Sequence, residues 1–174
     1  MGPKGASRIC RGLDVLHGTE LCDLPRDFAM ERARFPVVVH VLFMRPSDTG
    51  RELCLLRRAN TGFMDGWFTL PGGHQEHGET LTEAAIRECQ EEIGVIPQQL
   101  HPVAALAYQS GGHQGLNFVF RCDRWQGEIH LAEPVFDQVQ WVQVDSMPEP
   151  FAPWIVDALT LERSGGWLKE LRYG

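Results

Sequence analysis

Hydrophobic and polar positions alternate along this chain in blocks that read as strands, then a helix, then more strands and a last helix. The run Pro36 to Met44, PVVVHVLFM, is β-branched and nearly continuous, the pattern of a strand buried on both faces. A polar turn over RPSDTGR separates it from ELCLLRR, a second strand ending in Arg57 and Arg58. ANTGFMDG (59–66) is a loop, WFTLP a short strand, and Gly72-Gly73 allows a sharp backbone turn. After a helical stretch, VAALAYQ (103–109), LNFVFRC (116–122) and QVQWVQV (138–144) predict three strands, the first two joined by a GGHQG hairpin loop. Pro153 to Arg163 predicts a helix docked by Trp154, Ile155, Ala158 and Leu159. The element order predicts an α/β fold with a mixed sheet covered on both faces. Residues 1–34 are weakly patterned and read as an N-terminal extension, with a short helix over Pro25 to Arg34; residues 35–174 read as one domain.

The helical stretch carries the chemistry. Thr80-Leu-Thr-Glu83 fits a capping box, Gly94 suits the left-handed residue that closes a helix, and Pro97 prevents resumption. At about 100° per residue, with Glu88 at zero, Glu91 falls near 300° and Glu92 near 40°, so the three carboxylates share one face. Ala84 falls between them and is expected to leave that face open. Ala85, Ile86, Cys89 and Ile93 form the expected apolar stripe. Glu91 and Glu92 sit in the last turn, where the helix dipole disfavours anions by about 0.3–1 kcal/mol each. Glu88 and Glu92 repel as an i,i+4 pair by roughly 0.2–0.5 kcal/mol. Such frustration marks functional sites, and a divalent cation would relieve it, because carboxylate oxygens are the hard donors Mg²⁺ prefers. The bland alternative is a solvated acidic face.

Composition narrows the classes. The chain has 174 residues, 43% hydrophobic and 22% charged, which fits one well-buried globular domain. A net charge of −7 argues against a duplex-binding surface, though not against a nucleotide whose phosphates a metal screens. Five scattered cysteines without a C-x-x-C read as reduced thiols in a cytoplasm. No apolar run approaches spanning length, so no membrane partner is expected.

From Gly73 to Val95 the residues Gly73, Glu79, Arg87-Glu88, Glu91-Glu92, Gly94 and Val95 stand at the spacing G-x5-E-x7-R-E-U-x-E-E-x-G-U, where U is aliphatic. This resembles the signature of the Nudix hydrolases, with Cys89 at the first U as the one departure. The resemblance implies an α/β/α sandwich over about 36–163. It also implies cleavage of the pyrophosphate in a nucleoside diphosphate linked to X, a small-molecule substrate. Glu88, Glu91 and Glu92 are implied as Mg²⁺ or Mn²⁺ ligands, with the Gly73 carbonyl beside them. Arg87 is implied to steady the carboxylates through Glu79. Among the family's alternatives for general base, Glu91 and Glu92 come first; Glu133 and Asp137, in the loop before the Trp141 strand, are outside candidates whose plain reading is loop solvation.

Substrate contacts are read from residue type alone. Arg57 and Arg58 precede the loop and suit phosphate; alternation lets at most one of them face a cleft. Phe63, Trp67 or Tyr108 suit stacking on a base, or else core packing. His74 and His77 lack the H-E-x-x-H order of a zinc helix, and His40 reads as a strand residue. A non-catalytic nucleotide-binding module is the alternative function, and a homodimer is an open possibility.

Overall fold

A computed structural model describes residues 34–173. The expected extension and its short helix lie, apart from Arg34, outside the described residues. The sheet is built from β1 (Val37–Ser47), β2 (Gly50–Arg58), β3 (Phe68–Thr69), β5 (His101–Ser110), β6 (His113–Cys122), β8 (Phe136–Gln143) and β9 (Leu168–Tyr173). A two-stranded ribbon pairs β4 (Ile96–Pro97) with β7 (Trp125–Gln126), and the helices are α1 (Leu81–Ile93) and α2 (Trp154–Ser164). The order through the sheet is β3-β2-β1-β6-β5-β9, with β8 on β2. β1 runs parallel to β6 and antiparallel to β2, and β5 runs parallel to β9, so the sheet is mixed.

β1 shows why the sheet needs helices on both sides. Val39, Val41 and Phe43 point to one face and pack with Ala84, Ala85, Cys89 and Ile93 of α1. Leu42 and Met44 point to the other and pack with Ile155, Ala158 and Leu159 of α2. All of these residues are buried. Fully burying such side chains contributes about 1.5–3 kcal/mol each, and only a layer on each face achieves it. The result is the α/β/α sandwich expected.

Several elements differ from expectation. The first strand runs on to Ser47 and leaves only a two-residue turn before β2. The β5–β6 hairpin is tighter too: Gly111 and Gly112 take φ of 52° and 85°, and His113 and Gln114 belong to the strand. WFTLP contributes only Phe68 and Thr69 as strand. β4, β7 and β9 carry no readable alternation; β9 buries only Leu171 at the sheet's edge.

Candidate active site

α1 is set by its ends. Thr80 Oγ1 accepts from Glu83 N, the Glu83 carboxylate accepts from Thr80 N, and Gly94 closes the helix at φ 69°. Between these ends the buried arc differs from the apolar stripe drawn by the sequence. Ala84 is fully buried in the core instead of flanking an open acidic face, and Glu92 is buried beside Ala85 and Cys89. Ile86 stays outside that core and lines a surface hollow with Glu83, Arg87, Gln90 and Glu91. The helix has turned its Glu92 side toward the sheet, which rotates Ile86 outward.

Arg87 organises the outer carboxylates. Its Nη2 donates to Glu79 Oε1 at 2.8 Å and to the His74 carbonyl at 2.9 Å, and its Nε donates to Glu79 Oε2 at 3.2 Å. Nη1 donates to both Glu88 Oε1 (2.8 Å) and Glu91 Oε2 (3.0 Å). One guanidinium therefore ties the loop to the helix. Hydrogen bonds from Arg87, then from the Glu76 backbone, hold the Glu79 carboxyl below its usual range.

Glu92 stands apart from that cluster. Its Oε2 accepts from Gly72 N at 2.8 Å. Burial pushes its pKa up to about 8; the Gly72 N–H opposes this, Glu88 and Glu133 add to it, and Arg58 opposes it. Glu88 is also raised, by burial first, with Arg87 opposing and Glu91 and Glu133 adding. The carboxylates share the helix face, yet among the described residues no three or more His, Cys, Asp or Glu side chains are drawn around one point. A half-buried and a buried carboxylate that are both raised by burial, the first adding to the rise of the second, with only one backbone donor on Glu92, form a donor set that fits a hard divalent cation. The loop supports that fit. A Cβ on Gly73 would lie 2.5 Å from Glu88 Oε1, so the bare backbone lets the carboxylate close on the loop. The Gly73 carbonyl accepts from Val39 N at 2.8 Å, which leaves one lone pair free.

The two outside carboxylates separate. Asp137 is bound by Arg57, Nε to Oδ1 at 2.7 Å and Nη2 to Oδ2 at 2.9 Å, which holds its carboxyl low and engages the two groups with each other. Glu133 lies close enough to raise both Glu88 and Glu92. Its loop is strapped to the end of α1, since His130 N donates to the Ile93 carbonyl and Ala132 N to that of Glu92. The arginines separate in the same way. Arg58 is near enough to Glu92 to act on its charge, and its Nε donates to the Phe63 carbonyl at 3.0 Å. Phe63 is 67% exposed with Arg58 over its ring at 5.8 Å. Trp67 is half-buried, its carbonyl accepting from Arg58 N, and Tyr108 packs against the α2-side core. His74 and His77 are exposed on the loop. The Gly72 N–H on Glu92 had no signature in the sequence beyond the glycine pair itself.

A family model described as NUDIX domain matches residues 34–161. The chain is similar to the 8-oxo-dGTP diphosphatase of Escherichia coli, 35% identical over 81 residues, which is 47% of this chain and 63% of that relative. It is similar to the ADP-ribose pyrophosphatase of Methanocaldococcus jannaschii, 30% identical over 104 residues, or 59% of this chain and 60% of the relative. It thus spans under two thirds of the length of these curated relatives. Among solved structures, the MutT NUDIX hydrolase of Burkholderia pseudomallei superposes with a TM-score of 0.66 at 21% identity, covering 74% of this chain and 98% of that one.

Proposed function

The chain belongs to the NUDIX family, and on that premise we propose that it is a metal-dependent pyrophosphohydrolase acting on a nucleoside diphosphate linked to a further group. The observation that carries this reading is the buried Glu92, beside Glu88 and Glu133 and opposed by few donors. Glu88, Glu91 and Glu92 would hold Mg²⁺ or Mn²⁺, with the remaining lone pair of the Gly73 carbonyl beside them. When bound, the cation neutralises charge on the pyrophosphate and acidifies water.

The chain's own groups do the rest. Hydrolysis adds the oxygen of water to one phosphorus, breaks the bridging P–O bond and needs a base for the water's proton. With its pKa lifted to about 8 by burial, Glu92 has the basicity to accept that proton once a bound cation has displaced its own, and Glu133 is the second carboxylate near the same face. Arg87 fixes Glu88 and Glu91 and, through Glu79, fixes the loop that approaches them. Arg58 acts on the charge of the buried carboxylate and is bound to no side-chain anion among the described residues, and it suits a substrate phosphate. Phe63 beside it offers an exposed ring. Phosphoryl transfer asks mainly for such positioning and charge neutralisation.

Incubating the protein with Mg²⁺ and a panel of NDP-X compounds, and measuring the phosphorylated products, tests the reading. Cleavage that disappears in Glu92→Gln supports it. Tight binding of those compounds without turnover would instead make the protein a nucleotide-binding module.

A further inference from the structure

β9 ends the sheet on one side, and among the described residues its outer edge pairs with no other strand. One bond fixes which of its backbone groups face outward. Ala105 N donates to the Trp167 carbonyl at 2.6 Å, with Ala105 opposite Leu168 in the parallel β5–β9 register. In a parallel ladder that bond makes Lys169, Leu171 and Tyr173 the residues whose N–H and C=O groups face β5. The backbone groups of Leu168, Glu170 and Arg172 therefore point off the sheet. Such a row is a ready template for another strand.

The side chains divide between the two faces of the sheet. Leu171 is buried in the core under α2, and Lys169 is ion-paired with Asp157 of that helix. Alternation puts Tyr173 on the same face, where burial first and Asp157 second raise its phenol pKa. Leu168, Glu170 and Arg172 share the opposite face, and all three are exposed. A free lysine commonly blunts an open edge against other chains, but Lys169 is engaged by α2. What the edge presents instead is Glu170 and Arg172, opposite in sign and ion-paired with nothing among the described residues. Beside them Leu168 is 47% exposed and Trp167 70%, apolar surface of the kind that marks a contact.

We propose that this edge joins two copies of the chain, β9 pairing antiparallel with β9 of the second copy about a two-fold axis at Leu171. The charges select that register. Residues with outward backbone groups must face one another, so the axis lies on a residue and not between two. An axis at Lys169, Glu170 or Arg172 sets that residue against its own copy, like charge on like. An axis at Leu168 or Tyr173 overlaps only the strand ends. An axis at Leu171 sets Glu170 opposite Arg172 of the second copy, and symmetry repeats the pair. These two residues then exchange backbone hydrogen bonds, and their side chains pair on the face away from α2. Leu171 meets Leu171, and Lys169 meets Tyr173, on the α2 face. The contact is isologous, as a two-fold requires. It closes both β9 edges into one continuous sheet. Nothing in it depends on the hydrolase reading.

Sedimentation of the full chain across a micromolar concentration range tests the pairing. The wild type should run as a dimer. Glu170→Lys and Arg172→Glu should each raise the dimer Kd at least about tenfold, because each reversal makes both symmetric pairs repulsive. An equimolar mixture of the two variants should dimerise again, since one chain then carries both positive charges and the other both negative. The double variant Glu170→Lys/Arg172→Glu should dimerise by itself. Both side chains are exposed, so circular dichroism of the single variants should match the wild type. Glu170→Pro removes an N–H that points away from β5; it should give a folded monomer, and it serves where a charge variant does not fold. A wild type that stays monomeric at every concentration overturns the proposal. So does a dimer that survives Glu170→Lys, Arg172→Glu and Glu170→Pro, because it is built on another face. Folded single variants whose mixture stays monomeric overturn it as well, because Glu170 then does not meet Arg172 of the second copy.

Discussion

Arg87 and Glu79 are joined side by side, Nη2 to Oε1 at 2.8 Å and Nε to Oε2 at 3.2 Å, across the loop that leads into α1. The same guanidinium reaches Glu88 and Glu91, so the pair transmits the loop's position to the acidic face. A lysine keeps the charge but cannot make this fork. Arg87→Lys should therefore weaken Mn²⁺ binding or turnover by about ten- to a hundredfold, as changes behind metal ligands do. Mn²⁺ titration by paramagnetic resonance, with steady-state kinetics, reads both. Unaltered Mn²⁺ affinity and kcat in Arg87→Lys would reduce the pair to a surface ion pair.

Glu92 gives the metal-free protein a pH dependence of definite sign. Its carboxyl titrates near 8 when folded, by burial, against about 4.5 as a free side chain. Below 4.5 both states are protonated and no penalty exists. As pH rises from 4.5 to 8 the unfolded chain releases a proton that the folded one keeps, so stability falls, by roughly a few kcal/mol, and levels off above 8. Glu92→Gln keeps an oxygen for the Gly72 N–H and loses the ionisation. It should flatten that slope and be at least as stable at pH 8. Mg²⁺ should stabilise the wild type most at high pH and add little to the variant; a hundredfold excess over Kd is worth about 2.7 kcal/mol. Melting curves of both proteins across pH, with and without Mg²⁺, decide it. A variant less stable at pH 8 whose Mg²⁺ response persists would make Glu92 a structural carboxylate.

How far the sequence reached follows from these residues. The capping box, Gly94 and the carboxylate spacings are local, and local signals were readable: α1 starts and stops where Thr80 and Gly94 say. The facing of α1 was not readable from hydrophobicity. A stripe of apolar residues put Ile86 inside and Ala84 outside, whereas the fold buries Ala84 and Glu92 and leaves Ile86 at the surface hollow. A helix that carries a buried carboxylate breaks the correlation on which such stripes depend. Which arginine is paired and which is left was equally hidden, because Asp137, 80 residues from Arg57, decides it. β9, with one buried residue in six, offers no pattern to read.

Arg57 and Arg58 are neighbours with opposite expected effects. Arg57 is spent on Asp137, while Arg58 is held by the Phe63 carbonyl and Thr61 Oγ1 and acts on the charge of Glu92. Arg58→Met should raise KM about tenfold, the scale of one lost charge-assisted contact. It should also raise the Glu92 pKa further in the metal-free protein, because a nearby positive charge is lost. Arg57→Met should change KM less than about twofold. Kinetics and a carboxyl-carbon NMR titration of Glu92 read the two effects. Equal responses from the two arginines would remove the assignment of Arg58 to the substrate.

Gly72 and Gly73 separate fold from function within two residues. Gly72 sits at φ 142°, and a Cβ there would lie 2.0 Å from Val39 O, 2.7 Å from His40 Cα and 2.9 Å from Val39 C. Those atoms belong to the backbone of β1 and cannot yield without moving the centre of the sheet. Gly72→Ala should therefore cost about 3 kcal/mol or more in stability, from strain and overpacking together. At Gly73 the three atoms nearest the added carbon all belong to the Glu88 carboxylate, at 2.5–2.7 Å. A side-chain end can swing away, so Gly73→Ala should cost no more than about 1 kcal/mol. The carboxylate would swing out of the acidic face and loosen its bond to Arg87, so turnover should fall at least about tenfold with the fold intact. Urea denaturation and activity on the same two variants give the comparison. A Gly73→Ala protein that keeps full activity would mean that Glu88 does not work from the position it holds against the loop.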